Sequence, residues 1–442
     1  MGTAAAALMI VSLLCWTAAT AVQASHVVYP ELQSLEAKEV ATELRTGYHF
    51  QPPKHWINGP MYYKGLYHLF YQYNPKGAVW GNIIWAHSVY TDLIHWVALQ
   101  PAIYPTKPFD VNGCWSGSTT MLPNGVPVII HLRLVVGSKE NMSGIAVLYR
   151  SREFQKWVKM HHSLHTGLTG MWECPDFYPV AVAGGSRHHQ RDMYTVELHD
   201  HAVDEEVKYV LKAIPRKIFL SRSGRQLIQW PVEEVKSLRS KHVNVTNKAV
   251  KGGKYFEVTG FKSVQLDVDA AFTIRNLDKA EKFDPAWRTD AQGLCKKFNS
   301  HVKGGVGPFG LWLLASNDLE ERTAVFLRVF KTNDANYVVL MCNDPTRSSY
   351  ESQIYRPTFA GFVNVDIAKT KKIALRALID HSVAESFGAG GKTCVLTRVY
   401  PRKAIGDDAH LFVFNNGESD IKITNLHGWE MKTPTMNKLL EQ

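Results

Sequence analysis

Glu173 is the residue of this sequence best placed for acid–base chemistry. In "GMWECPDFYPV" it stands between Trp172 and Cys174, with Asp176 and an aromatic run just after it. A carboxyl held against an indole is desolvated, which favours its neutral form and raises its pKa, as a general acid requires. The same residues also suit a glutamate on a strand edge, solvated or ion-paired. "YQYNPKGAVWGNIIWAHS" and "NGCWSGST" add flat faces for sugar rings in Trp80, Trp85 and Trp115. Asn58, Gln72 and Ser116 add hydrogen-bonding partners for hydroxyls. A packed β core with satisfied amides would use the same residue types. Cleaving a glycoside takes a second carboxylate. The stretch "HWINGPMYYKGLYHLFYQYNP" contains none, and neither Asp nor Glu occurs from Leu44 to Thr91.

The elements that must position these residues read as strands. Short aromatic and β-branched runs are broken by Gly, Asn, Asp and Pro, and helical periodicity is nearly absent, so the chain reads as all-β. "PMYYKGLYHLFYQYNP" is two strands around a Lys64–Gly65 turn. "AHSVYTDLIHWVALQPAI" and "VLYRSREFQKWVKMHHSL" resemble each other: strand, polar turn with a carboxylate, Trp96 or Trp157, second strand. An aromatic-marked strand unit of this kind suits a propeller blade. After a break near Ala213, "IPRKIFLSRSGRQLIQWP" is a hairpin and "VEEVKSLRS" the one short helix. The strands from "SVQLDVDAAFTI" to "IKITNL" then predict a β-sandwich.

The N-terminus, "MGTAAAALMIVSLLCWTAATAVQAS", has a short apolar stretch ending in small residues. It reads as a signal peptide over residues 1–24, which predicts secretion; the resemblance described below implies the cell wall or apoplast as the destination. No later stretch is apolar enough to span a bilayer, so no membrane partner is expected. In an oxidising compartment Cys295 and Cys342 could pair across a sheet. Asn141 and Asn244 head glycosylation sequons. The net charge of +10 is spread, with no Lys/Arg block and no nucleic-acid motif. Such a field suits adhesion to an acidic cell-wall polysaccharide, and equally suits solubility. The histidines of "SRHHQRD" and "ELHDH" match no metal-ligand spacing; neither a metal nor a cofactor is expected.

A series of motifs is more specific. "HFQPPKHW", "GPMYYKGLYHLFYQYNPKGAVWGNIIWAHS", "NGCWSGS", "WECPDFYPV", "IPRK", "LIQWPVEEV" and "HSVAESFGAGGKTCVLTRVYP" span nearly all the mature chain. Through them the chain resembles the plant cell-wall β-fructofuranosidases of glycoside hydrolase family 32, acid invertases or fructan exohydrolases. Pro175 resembles the cell-wall subgroup, where vacuolar relatives usually carry Val. The resemblance implies a five-bladed β-propeller followed by a β-sandwich, here residues 46–213 and 214–442. It implies sucrose or short fructans as substrates and a proteinaceous inhibitor as a partner. It implies a retaining mechanism in which an Asp attacks the anomeric carbon and Glu173 serves as acid/base.

The departures from the family are as informative. Its nucleophile motif reads Trp-Met-Asn-Asp-Pro-Asn-Gly-Pro; this chain reads Trp56-Ile57-Asn58-Gly59-Pro60, without Asp-Pro-Asn. The Arg-Asp-Pro motif that holds the fructose hydroxyls is missing where "NGVPVII" runs into "HLRLVVGSKE", and a third gap falls at "EVKYVLKAIPRK". Asn343-Asp344-Pro345 imitates the first motif but lies in the predicted sandwich. Blades need roughly 45 to 60 residues each, so residues 46–213 hold about three and the propeller is incomplete. Three readings stand: an impaired enzyme, a secreted non-catalytic sugar-binding protein, and the product of an incompletely spliced transcript.

Overall fold

The computed structural model describes residues 44–50, 60–76, 82–106, 108, 111–114, 118–121, 127–130, 135–140, 143–150, 158–159, 161–162, 165–167, 171–181, 190–199, 214–334, 336–351, 354 and 356–439. The signal-peptide reading lies outside these residues. Among them no helix is long and apolar enough to cross a membrane.

The first sheet is built from Pro60–Tyr63, Leu66–Tyr73, Ile84–Tyr90 and Trp96–Ile103, all antiparallel. Its first hairpin turns at Lys64 (φ 49°) and Gly65 (φ 82°). Two consecutive positive φ angles match the right-handed twist of the flanking strands, as in a type I′ turn. The next connection is held by Asp92, whose Oδ1 accepts the N–H groups of Ile94 and His95 at 2.9 and 2.8 Å. Trp96 then enters the core beside Phe50, Leu69, Tyr71 and Ala86. Met436–Leu439 returns from the far end of the chain as a parallel edge strand on Trp96–Ile103. The other sheets described before residue 214 have two to four strands, so the blades are incomplete.

From residue 214 the chain forms the Arg216–Leu220 and Leu227–Pro231 hairpin and then a two-sheet sandwich. One sheet has six strands and the other seven. Period-2 alternation builds the core between them: Leu266, Val268, Ala270, Phe272 and Ile274 face inward from Gln265–Ile274. Ile373, Leu375, Ala377 and Ile379 do the same from Lys372–Asp380, and Phe309, Leu311 and Leu313 meet them from the opposite sheet. Each of these Val, Leu, Ile and Phe side chains contributes about 1.5–3 kcal/mol on burial.

The helical content exceeds the single short helix expected. "VEEVKSLRS" forms a 3-10 turn over Glu233–Leu238, and a second helical segment runs through Pro285–Thr289 and Ala291–Lys297. Asp284 and Asp290 cap its two parts, accepting N–H groups of Ala286 and Gly293. Phe283, Trp287, Leu294 and Phe298 pack it over the outer face of the seven-stranded sheet. There Cys295 is disulfide-bonded to Cys342 on Tyr337–Asp344, with Cα atoms 5.9 Å apart. Burial pushes the thiol of Cys394 up to about 11, an unreactive cysteine.

The outward face of the six-stranded sheet is charged yet buried. Asp380 accepts the main-chain N–H groups of Gly47, Tyr48 and His49 at 2.6, 2.8 and 2.7 Å. His49 is fully buried, with Nδ1 3.1 Å from Asp380 and Nε2 3.1 Å from Glu385. Arg216 donates from Nε to Glu385 at 2.7 Å and from Nη1 to Gln229 at 2.8 Å. Tyr48, Ile94, Ile214, Val232, Val235, Leu238, Leu378, Phe387 and Met431 seal the cluster. Burial alone pushes the pKa of His49 down; the hydrogen bonds to Asp380 and Glu385 outweigh it, and the net shift is upward from 6.5. Burial likewise raises Asp380 and Glu385, but donation from His381, His49 and Arg216 holds both below their ordinary values.

Two predictions follow from these contacts. Replacing both Cys295 and Cys342 by Ala lowers stability by about 4 kcal/mol in the chain-entropy account of a 47-residue separation. A calorimetric Tm equal to that of the parent, or non-reduced peptide mapping that finds two thiols, contradicts the bridge. The second concerns pH. A raised imidazole pKa stabilises fully below 6.5 and is lost as pH climbs through the raised value. The depressed carboxylates stabilise above their ordinary range and are lost as pH falls. Thermal stability therefore peaks in mild acid. His49→Gln costs about 3 kcal/mol there, the scale for breaking a buried ion pair, and flattens the alkaline decline. Melting curves of both proteins across pH check this; parallel curves contradict it.

Candidate active site

The aromatic strand "LYHLFYQY" is covered on both faces. Leu69 and Tyr71 join Phe50 and Trp96 on one side, while Phe70 packs with Trp85 and Cys114 on the other. On this second face His68 Nδ1 lies 3.0 Å from His87 Nε2, and Phe70 stacks on the His87 ring at 4.4 Å. Gln72 is buried, and its Nε2 donates to the carbonyl of Cys114 at 3.2 Å. Trp85 Nε1 donates to the same carbonyl, also at 3.2 Å. Cys114 N in turn donates to the Ile83 carbonyl at 2.7 Å. The loop approaches so closely that a Cβ on Gly113 would sit 2.6 Å from Ile83 N, and its φ is 128°. Glycine is required there. These bonds anchor the motif "NGCWSGS" to the sheet immediately before Trp115 and Ser116.

Glu173 and Asp176 lie on Met171–Ala181, paired antiparallel with Gln190–His199. The register shifts between them, so the ladder is interrupted between the two carboxyl residues. Asn58, Trp80, Trp115, Ser116 and the sequon residue Asn141 lie outside the described residues. Asn244 is exposed on the edge strand Arg239–Val250.

Asp92 is the first carboxylate after the acid-free stretch. It is spent on its turn: its Oδ2 faces His95 Nδ1 at 2.9 Å, and hydrogen bonds hold its pKa down against burial. Asp344, in the imitation motif, is buried in the sandwich and accepts from Ser300 and Thr346. Among the described residues no three His, Cys, Asp or Glu side chains gather as a metal cage. Sequence reasoning did not single out the cluster around His49. His49, Arg216 and Glu385 sit inside quoted motifs, "HFQPPKHW", "IPRK" and "HSVAESFG", and Asp380 just before the last, but residues more than 300 positions apart meet only in the fold.

Comparison with known proteins gives this scaffold its relatives. Residues 49–133 and 130–213 match the glycosyl hydrolases family 32 N-terminal domain, and residues 234–430 match the family 32 C-terminal domain. The chain is 58% identical to "Beta-fructofuranosidase, insoluble isoenzyme 3" of Oryza sativa subsp. indica, covering 98% of this chain and 99% of the relative. It is 44% identical to the cell wall isozyme of beta-fructofuranosidase of Zea mays, over 94% and 95% of the two chains. Fructan 1-exohydrolase IIa from Cichorium intybus, also solved with 1-kestose, superposes with a TM-score of 0.79 at 33% identity, over 90% of this chain and 99% of that one. The rice alignment runs over 578 positions against 442 residues here, so the relative carries internal stretches that this chain lacks. The two N-terminal matches meet at residues 130–133, where "PVII" runs into "HLRL". Matched in both its N- and C-terminal regions, and along nearly its full length by insoluble and cell-wall isoenzymes, the chain belongs to glycoside hydrolase family 32, in the cell-wall β-fructofuranosidase class.

Proposed function

We propose that this chain is a secreted cell-wall protein built to act on terminal β-D-fructofuranosides, sucrose or short fructans, and that as it stands its turnover is severely impaired. The class rests on the family match. The impairment rests on one observation, the carboxylate-free stretch from Leu44 to Thr91 where the family's nucleophile belongs. Glu173 retains the role of acid/base, with Asp176, Asn58, Trp80, Trp115 and Ser116 as sugar contacts, whereas Gln72 and Trp85 are buried and donate to the Cys114 carbonyl. A retaining mechanism needs a second carboxyl roughly 5 Å from the first. Asp92 does not serve, because its oxygens cap its own turn. Without the nucleophile the glycosyl-enzyme cannot form, and loss of such a group costs about four orders of magnitude or more in rate. The same observation favours a second reading, a non-catalytic protein that retains sugar binding.

Glucose release from sucrose by the purified chain should therefore fall near background. A version with Asp-Pro-Asn reinserted between Asn58 and Gly59 is the companion measurement. It regains turnover only if the missing Arg-Asp-Pro stretch is dispensable. Turnover by the unaltered chain at the rate of a complete relative would refute the placement of the nucleophile. Equilibrium binding of 1-kestose without turnover would select the non-catalytic reading.

The net charge of +10 supports retention on acidic wall polymer. Raising the salt should release the protein from a wall fraction, since the Debye length shrinks from about 10 Å at 0.1 M to about 3 Å at 1 M. Retention unchanged at high salt counts against a charge-based hold.

A further inference from the structure

One corner of the sandwich carries arginines that, among the described residues, form no ion pair. Arg322 and Arg347 lie side by side, the Arg322 N–H donating to the Arg347 carbonyl at 2.7 Å. Of the Arg322 guanidinium donors, Nη1 reaches the Leu319 carbonyl, while Nε is buried without a partner. His301 lies at the surface beside them, its pKa lowered by partial desolvation and by the charges of Arg347 and Arg322. Arg347 is exposed and, among the described residues, forms no ion pair. Neighbouring carboxylates are engaged elsewhere. Both oxygens of Asp344 accept from Ser300 and Thr346. Glu320 is taken by Lys403 and Tyr350, Asp318 by Ser316 and Lys403. Glu321 accepts the main-chain N–H groups of Arg402, Lys403 and Ala404.

An aromatic surface adjoins these cations. The Arg322 guanidinium lies 5.0 Å over the Trp312 ring. Tyr255, 53% exposed, sits with its ring 5.1 Å from Trp312 and 6.1 Å from Phe412. Elsewhere this outer sheet face is covered by the capped helical segment around Trp287 and Leu294. Exposed aromatic area stacks on the C–H face of a sugar ring, and a guanidinium fork accepts a carboxylate through paired donors. A neutral sugar leaves the cations unanswered, and a simple polyanion leaves the aromatic face unanswered.

We propose that Tyr255, Trp312, Arg322, Arg347 and His301 form a non-catalytic binding site for a carboxylate-bearing sugar, a uronic-acid unit of an acidic polysaccharide. This deepens the wall-retention reading given above and rests on it for the source of the ligand. The site replaces part of a diffuse attraction by a discrete contact with stacking as well as charge.

Calorimetric titration of the full chain with trigalacturonate tests it, with cellotriose and polyaspartate as the neutral-ring and ring-free probes. The wild type should bind trigalacturonate in preference to both. Arg347→Gln should weaken binding about tenfold, the scale of one charge-assisted contact, and Tyr255→Ala by a smaller factor, while Lys369→Gln leaves it unchanged. Unchanged melting temperatures verify that the variants fold. Equal binding of polyaspartate, no effect of Arg347→Gln and Tyr255→Ala, or no binding of trigalacturonate overturns the site. Salt-dependent retention on a wall fraction is measured in parallel. Its persistence in both variants rejects this site while sparing the diffuse-charge reading, and its absence in the wild type rejects that reading.

Discussion

His49 is held by both ring nitrogens, Asp380 on one side and Glu385 on the other, with no exposure to water. An imidazole facing two carboxylates donates from both nitrogens only as the cation. A cation so buried survives only where it is paired and hydrogen-bonded. Each partner is itself satisfied elsewhere: Asp380 by three consecutive main-chain N–H groups and His381, Glu385 by Arg216. The contact ties three distant segments together: residues 47–49 ahead of the first sheet, the hairpin after residue 214 and the outward face of the six-stranded sheet. It also explains why a sheet with charges on its outer face can be buried there. The neighbouring Asp267 follows the same rule, gripped by both forks of Arg376 at 2.9 and 2.8 Å and by Arg239 at 2.8 Å.

The scaffold of the active site and its chemistry are separable in this chain. Gln72 and Trp85 spend their donors on the Cys114 carbonyl, and Asp92 spends its oxygens on a turn. Those contacts place the anchored loop whether or not a nucleophile is present. Family membership and turnover are accordingly different properties of the molecule.

Charge is similarly partitioned over the surface. Around residues 316–321 Glu321 turns inward to accept main-chain N–H groups, while Asp318 and Glu320 bind Lys403 at the surface, so their charge is answered locally. Beside them Arg347 is exposed, and the half-buried Arg322 lies over the Trp312 ring. Net charge alone does not reveal this, since it counts engaged and unengaged groups alike.

Local pattern determined much of this protein. Lys64–Gly65 between aromatic runs, the carboxylate turn before Trp96, the hairpin of Arg216–Pro231 and the alternation in "QLDVDAAFTI" all formed as read, because turn conformation and period-2 burial are set by adjacent residues. The missing tripeptide was legible for the same reason. Tertiary structure alone decided what depends on distant partners. "RSKHVNVTNKAV" alternates only briefly, at Val243 and Val245, because it is a largely exposed edge strand, and it is a strand through pairing with Ile421–Met431. The helical turns around Pro285–Lys297 are short and stabilised by packing on the sheet and by Cys342, not by periodicity. The ion pairs of His49 span more than 300 residues. Buried charges take their partners from whatever the fold brings near, and no spacing along the chain encodes that.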